Sequence, residues 1–427
     1  MANEITNLFE EFKEELNISQ IDADSVLKAI DEKIRWYRMK INNPKYKDIV
    51  PIKTKALMKL KTYIQENPND IEEFVNSGID DSKGGKRKVY GISFGTTYSS
   101  IAYIDENGNA NTILIDSSME MPSYVAFEKW GSVLVGETAK EMLGFESSKV
   151  CGYIKEQLGD YDFKFCVGKE EYSSEFITAL ILKKLVNEAN KFMGDVTNDI
   201  VLTYPTYFGS ETKNSLMSAA KIAGLNVVDT ICEPIAMAIS YIGHLVTNQV
   251  ILIYDLGGAT FDVTVIKING KDIQVLAADG FRTLGGYSWD YEIISYVLNY
   301  GEQRGYTHEE MFDCDLIRKA ETAKKKISRQ ETAIIKIMGE RIEITRETFE
   351  QLTSELLERT IMKVREVIGQ IQSSIHVDKI LIAGGSSLMP QVRTRIMQEF
   401  PNTNVEYFNS NLNIAKGAAT FGLGMVK

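Results

Sequence analysis

Residues 251–268, ILIYDLGGATFDVTVIKI, hold the closest grouping of side chains that could do chemistry. Asp255 and Asp262 flank a Gly257-Gly258 break, with Thr260 between them. The apolar runs 251–254 and 263–268 read as strands on either side. Paired glycines permit a tight turn that side chains would block. Amides at such a bend can point at an anion. A phosphate beside two carboxylates needs a cation to join them. Magnesium on a nucleoside triphosphate satisfies both groups, because it takes hard oxygen ligands and keeps several waters. An ordinary hairpin with solvated aspartates has the same spelling, and on this stretch alone the two readings stand level.

The stretch has an echo. Residues 89–108, like residues 251–270, run from an apolar strand through a small-residue turn with threonine into a second strand, and both segments end in Asn-Gly. Two related lobes, each presenting one turn, could grip a polyphosphate from both sides; chance likeness of two hairpins is the rival. Gly285-Gly286 precedes a helical region at 288–304, and the strand 379–383 breaks at Gly384-Gly385-Ser386-Ser387. Three glycine turns in one alternating α/β chain favour a nucleotide cleft.

The elements that must position these turns alternate along the chain. The patterning predicts helices at 173–193, 210–223 and 347–371, a lysine-rich helix at 316–328, a helix at 392–400 and a last one from 414. It predicts strands at 199–203, 227–231 and 379–383. Pro234, after Glu233, suits the first turn of a helix running to about 242.

Residues 1–80 differ in texture. Leu27, Ile30, Ile34, Tyr37 and Ile41 form one apolar stripe, and Leu57, Leu60 and Ile64 another after a break at Pro44 and Pro51. A small all-α domain of two or three helices is expected, in a structural or partner-docking role. Residues 81–88 read as a linker.

The 427 residues suit two or three domains. A net charge of −11 argues against nucleic acid and anionic membranes as partners. Cys151, Cys166, Cys232 and Cys314 have no paired spacing, which fits a reduced compartment and gives no disulfide or zinc signature, while His244, His308 and His376 are dispersed, so structural roles suit the histidines. The N-terminus is unlike a signal peptide and no apolar run is long enough to span a bilayer, so a soluble cytoplasmic protein is expected.

Residues 89–425 resemble the nucleotide-binding domain of the DnaK-type heat-shock chaperones. The resemblance rests on collinear motifs: GISFGTTYS from Gly91, PSYVAF from Pro122, GETAK from Gly136, YPTYF from Tyr204, IAGLNV from Ile222, Glu233-Pro234, Asp255 to Asp262, Glu321 to Ser328, Gly384-Gly385-Ser386 and Gly417-Ala418-Ala419. It implies a two-lobed, actin-like ATPase fold, two ribonuclease-H-like halves around a cleft, with lobe I at about 89–246 and lobe II at about 247–427. It implies ATP or ADP with magnesium, and potassium in some members. Gly95, Thr96, Thr97 and Tyr98 would form the first phosphate loop, and Gly257, Gly258 and Thr260 the second, with Gly285 and Gly286 also at the nucleotide. Lys140 matches the catalytic lysine. Glu233, Asp255 and Asp262 match the residues that arrange water and hydrated magnesium, and Thr260 joins this catalytic set. Glu321, Lys324, Lys325 and Ser328 would hold adenosine from one side, Gly384, Gly385 and Ser386 from the other.

Departures temper these expectations. Ser93 stands where the family has an aspartate. Lys325 and Leu388 replace arginines that sandwich adenine, Asn411 an aspartate, Ala259 a third glycine and Lys213 a relaying arginine. The sequence stops at Lys427, where the family continues into a peptide-binding domain, so either a fragment or a standalone nucleotide-responsive module is expected. The leading expectation is a slow magnesium-dependent ATPase whose lobe closure is coupled to a protein partner or co-chaperone. The alternative is a nucleotide-sensing pseudo-ATPase. A small-molecule kinase or a filament-forming protein fits less well.

Overall fold

The computed structural model describes residues 23–40, 49–66, 88–128, 132–194, 196–242, 247–270, 272–312 and 315–425. The chain divides into two compact units, Met1–Lys86 and Arg87–Lys427. Apart from Lys88, the linker expected at 81–88 lies outside the described residues, as do Ile41, Pro44, His244 and Cys314.

In the first unit two helices, Ala23–Lys40 and Ile49–Glu66, are described. The buried stripe of the first is Val26, Ile30, Ile34 and Tyr37, and Leu27 is only half-buried. Steps of four, four and three keep these residues on one face. Pro51 does not break the second helix. It sits in the first turn, where a missing N–H costs nothing. Lys61 and Asp31 tie the pair at 2.6 Å.

The second unit is built on two sheets with the same plan. In the first, β1 (Tyr90–Ser93), β2 (Tyr98–Ile104), β3 (Ala110–Thr112), β4 (Asp199–Tyr204) and β5 (Asn226–Cys232) lie in the order β3-β2-β1-β4-β5, with Met121–Pro122 added on β2. In the second, β6 (Thr247–Leu256), β7 (Phe261–Gly270), β8 (Asp272–Phe281), β9 (Lys379–Ala383) and β10 (Asn404–Tyr407) lie in the order β8-β7-β6-β9-β10. In each sheet the first three strands are antiparallel neighbours, while the fourth and fifth join in parallel. The two hairpins that echo each other in sequence are the first two strands of these matching sheets.

β6 explains its own apolar run. Leu252, Tyr254 and Leu256 face one core together with Trp289, Ile293 and Ile361. Ile251 and Ile253 face another with Met237, Ile414 and Ala418. A strand buried on both faces reads as continuous hydrophobicity. The second of these cores is the seam between the sheets, and it is filled by the helices Glu233–Ile242 and Ser410–Met425. The last helix, assigned by sequence order to lobe II, packs on β1 and β2 of the first sheet. Its small residues permit this. A Cβ on Gly417 would lie 1.8 Å from the Ala236 carbonyl oxygen.

The helix predicted at 347–371 is two helices, Arg346–Leu352 and Ser354–Gly369. Thr353 interrupts them. Its hydroxyl donates to the Phe349 carbonyl at 2.8 Å and accepts from Gln391 Nε2 at 3.0 Å. β8 and the hairpin Thr332–Ile337 with Glu340–Thr345 were not read from the sequence.

Candidate functional site

The glycine turns meet. The β1–β2 turn is braced from behind: Ser123 Oγ donates to the Gly95 carbonyl at 2.8 Å, and the Gly95 amide donates to Ser99 Oγ at 3.3 Å. The β6–β7 turn is closed by the Gly257 amide on the Thr260 carbonyl at 2.9 Å. A Cβ on Gly258 would lie 2.2 Å from Thr97 Cγ2, so the two turns touch. The third turn docks on the second, with the Gly286 amide donating to Gly257 O at 3.0 Å and the Tyr287 amide to Gly258 O at 2.7 Å. Gly384, at φ 85°, brings the fourth turn onto β6: an added Cβ would stand 2.5 Å from Asp255 Oδ1. A Cβ on Gly286 would fall 2.1 Å from Ser386 Oγ, which joins the third turn to the fourth.

The carboxylates gather below these turns. Asp255 ends β6 and Asp262 opens β7, directly opposite in register. Glu233 begins the helix that follows β5. Both aspartates are partly buried, and Asp262 Oδ1 has neither solvent contact nor a hydrogen-bond partner among the described residues. Burial, and then Glu233, push the Asp255 carboxyl up to about 7, against the pull of Lys155. Burial, Asp255 and Glu233 push Asp262 well up, against Lys155 and a hydrogen bond from Thr260. Tyr207 faces the same group, its hydroxyl pushed up by burial and by Asp262 and Glu233.

Lys155 is the residue that sequence reasoning missed. It is buried, with Nζ 2.8 Å from Glu233 Oε1. Its only signal in the sequence is a lysine inside an otherwise unremarked stretch, with nothing to say which way it points. Lys140, expected at the phosphate, lies against the first turn and the helix Leu316–Ile327. From the short helix Glu137–Glu141 it donates to Tyr98 Oη at 3.1 Å and pairs with Glu321 Oε2 at 3.1 Å.

The helix Leu316–Ile327 presents the rest of the expected adenosine face, but its groups already have partners in the protein. Lys325 pairs with Glu321 at 2.7 Å. Lys324 runs beneath the third turn, donating to the Gly286 carbonyl at 2.7 Å and to Asp290 Oδ2 at 2.8 Å. Burial pushes the Asp290 carboxyl up to about 6, against Lys324. Ser328 Oγ donates to the Lys324 carbonyl at 2.9 Å. Gly385 has open space where a Cβ would be. Leu388 is exposed. A cavity of about 710 Å³ is lined by Tyr204, Tyr207, Lys213, Cys232, Ala278 and Arg282 among others.

The arrangement fits a hydrated divalent cation with a polyphosphate. An orphaned carboxylate oxygen, an excess of acid over base and turns too close for a Cβ at Gly95, Gly258, Gly286 or Gly384 stand side by side. Among the described residues no group of three or more His, Cys, Asp or Glu side chains is placed to hold a metal ion directly. No helix among them is long and apolar enough to cross a membrane.

Two sheets of one plan around a cleft edged by glycine turns define the two-lobed, actin-like ATPase fold. The family model described as Hsp70 protein matches residues 89–165 and 155–424, and the chain belongs to that family. The chaperone protein DnaK of Thermosipho melanesiensis is 33% identical over 352 residues, covering 78% of this chain and 59% of the relative. Those of Thermotoga petrophila and Thermotoga maritima are 34% identical over 357 residues, with the same shares covered. The chain thus spans 59% of the length of these relatives.

Proposed function

We propose that the cleft binds ATP and ADP with hydrated magnesium and hydrolyses ATP slowly, with closure of the lobes coupled to a protein partner in chaperone work. The observation that carries this reading is Asp262 Oδ1, shut off from water without a partner among the described residues, beside glycine turns that meet one another. Bound magnesium would offset charge on the triphosphate and hold ordered waters. Glu233, Asp255 and Asp262 would accept hydrogen bonds from those waters. The turn amides of Thr96–Thr97 and Gly258–Thr260 would donate to phosphate oxygens, those of Gly95 and Gly257 being used within the turns. Thr260 would steer the Asp262 carboxyl, as its hydrogen bond to that group supports. Adenosine would lie between the helix Leu316–Ile327 and Gly384–Ser386. Lys140 would have to leave Glu321 to reach a γ-phosphate.

Ser93 favours a second reading, a nucleotide sensor without turnover. It is buried on β1, and a hydroxyl there carries no charge to help hold cations and their waters. Lys140, held on Glu321, points the same way. Calorimetric titration with ATP and ADP, with and without magnesium, followed by single-turnover hydrolysis, separates the two readings. Magnesium-dependent binding with slow turnover is expected. Binding without turnover would establish the sensor, and absence of binding would refute both.

A further inference from the structure

The cavity of about 710 Å³ takes its walls from both halves of the second unit. Tyr204 and Cys232 end β4 and β5 of the first sheet, and Lys213 stands on the helix Ser210–Ile222. Val275 and Ala278 belong to β8, the edge strand of the second sheet, and Arg282 follows that strand directly. A space of this size suits a small organic molecule more than a lone ion.

Two cations face the cavity, one from each half. Lys213 Nζ lies 3.7 Å from the centre of the Tyr204 ring. Arg282 Nη2 donates to the Tyr207 carbonyl at 3.0 Å, and its guanidinium lies 5.1 Å from the Tyr207 ring. Cations packed on aromatic faces are held in place instead of ranging through solvent. Neither pairs with a carboxylate among the described residues. The acid that shares the cavity wall, Asp279, is held by Lys363 at 2.9 Å. Like charges that line one space repel, and an anion between them reverses the sign.

Tyr207 and Cys232 stand between these cations and the acids of the cleft. Burial, Asp262 and Glu233 push the Tyr207 hydroxyl up, and Arg282 draws it back. Burial and Glu233 push the Cys232 thiol up to about 12, and Lys213 draws it back. Each side chain feels acid on one side and base on the other. The cavity is thus a compartment of opposite charge to the cleft.

We propose that this cavity is a binding site for a small organic phosphate, separate from the nucleotide cleft. The phosphate head would sit between Lys213 and Arg282, and the apolar body would lie on Val275 and Ala278. Two unpaired cations call for a dianion, which a phosphate monoester is at pH 7.5 and a single carboxylate is not. A ligand held by both cations would tie one half of the unit to the other.

The probe is phenyl phosphate at pH 7.5, titrated by calorimetry into wild type and into the double variant Lys213→Met with Arg282→Met. Whatever phenyl phosphate does in the nucleotide cleft is common to both proteins, so the difference isolates the cavity. Wild type should bind at least about tenfold more tightly, with each single variant in between. Arg282→Lys keeps the charge and should stay closer to wild type than Arg282→Met. Inorganic phosphate lacks the apolar body and phenol lacks the charge, so both should bind more weakly than phenyl phosphate. Thermal midpoints check that the variants fold. If the double variant does not, Arg282→Met alone decides by the same comparison.

Equal affinity of wild type and the variant for phenyl phosphate overturns the proposal. So does phenol that binds as tightly as phenyl phosphate, since the cations would then have no part. Inorganic phosphate that binds as tightly overturns the assignment of an organic ligand. A chain that binds no nucleotide refutes the reading of the cleft and leaves this comparison intact.

Discussion

Lys140 and Glu321 are joined between the lobes, Nζ to Oε2 at 3.1 Å, with Tyr98 Oη also 3.1 Å from the ammonium. Burial works against the Glu321 charge, but Lys140 and Lys325 prevail and hold its carboxyl down at about 2, from an ordinary 4.5. A depressed carboxylate stabilises the fold fully above its unfolded value and loses that contribution as pH falls towards the folded one. Lys140→Met should therefore cost about 1–2 kcal/mol near neutral pH, since the pair is partly buried and Lys325 remains. The cost should shrink as pH falls from 5 towards 2. Urea midpoints of the two proteins across that range check it. A gap that stays constant would mean that the pair contributes no charge-dependent stability.

Asp255 has the opposite sign. Its folded carboxyl, at about 7, lies above the ordinary 3.8, so the nucleotide-free protein loses stability as pH rises through that interval. Asp255→Asn removes this cost, and its thermal midpoint at pH 8 should exceed that of wild type. Its MgATP affinity should fall. In wild type a cation in the cleft requires the carboxylate, so MgATP binding below pH 7 should release a proton and weaken by up to about tenfold per pH unit. Calorimetry in two buffers of different ionisation heat measures the released proton. No release at pH 6 would place the magnesium away from Asp255.

Ser93 is buried at the end of β1, opposite Ser100 in β2. Ser93→Asp adds a carboxylate at the edge of the cleft. It should lower the thermal midpoint without magnesium, because an unpaired charge is buried. It should raise single-turnover hydrolysis by at least about tenfold with magnesium. A wild type with no measurable rate, rescued by this variant, would establish the sensor reading.

Much of the fold was legible because its signals are local. The β6–β7 hairpin, the Pro234 helix start and the glycine turns each carry their cause within a few residues. Asp255 and Asp262 stand out because the four-residue turn 257–260 is too short to leave their pairing much freedom. What stayed hidden depends on distant neighbours. Lys155 and Glu233 are 78 positions apart in sequence, yet their side chains meet at 2.8 Å. Lys324, read as an adenosine contact, is spent on Asp290 and Gly286. Nothing in a lysine-rich helix marks which lysine turns inward. β8 alternates weakly and is half-covered along much of its length, so it lacks a strong apolar signature. The last helix joins the first sheet because Gly417 admits the Ala236 carbonyl, a contact across 181 positions that sequence order conceals.

The contact between the two phosphate turns gives a last test. A Cβ on Gly258 would stand 2.2 Å from Thr97 Cγ2, 2.7 Å from Thr97 Oγ1 and 3.0 Å from Thr97 Cβ. No van der Waals surface accommodates the first two distances, so Gly258→Ala must push the β1–β2 turn from the β6–β7 turn. Overpacking of this kind costs about 1–3 kcal/mol. The larger effect should fall on binding, since both turns would aim their amides at the same phosphates and a displacement of about 1 Å is enough to misplace them. Thr97→Ala removes both γ atoms and leaves only the 3.0 Å approach. The double variant should therefore be less destabilised than the sum of the singles by about 1 kcal/mol, a coupling that denaturant midpoints resolve. Its ATP affinity should also exceed that of Gly258→Ala alone. Additive effects would mean that the turns do not meet in solution as they do here, and the cleft would then have to be built with its two phosphate loops apart.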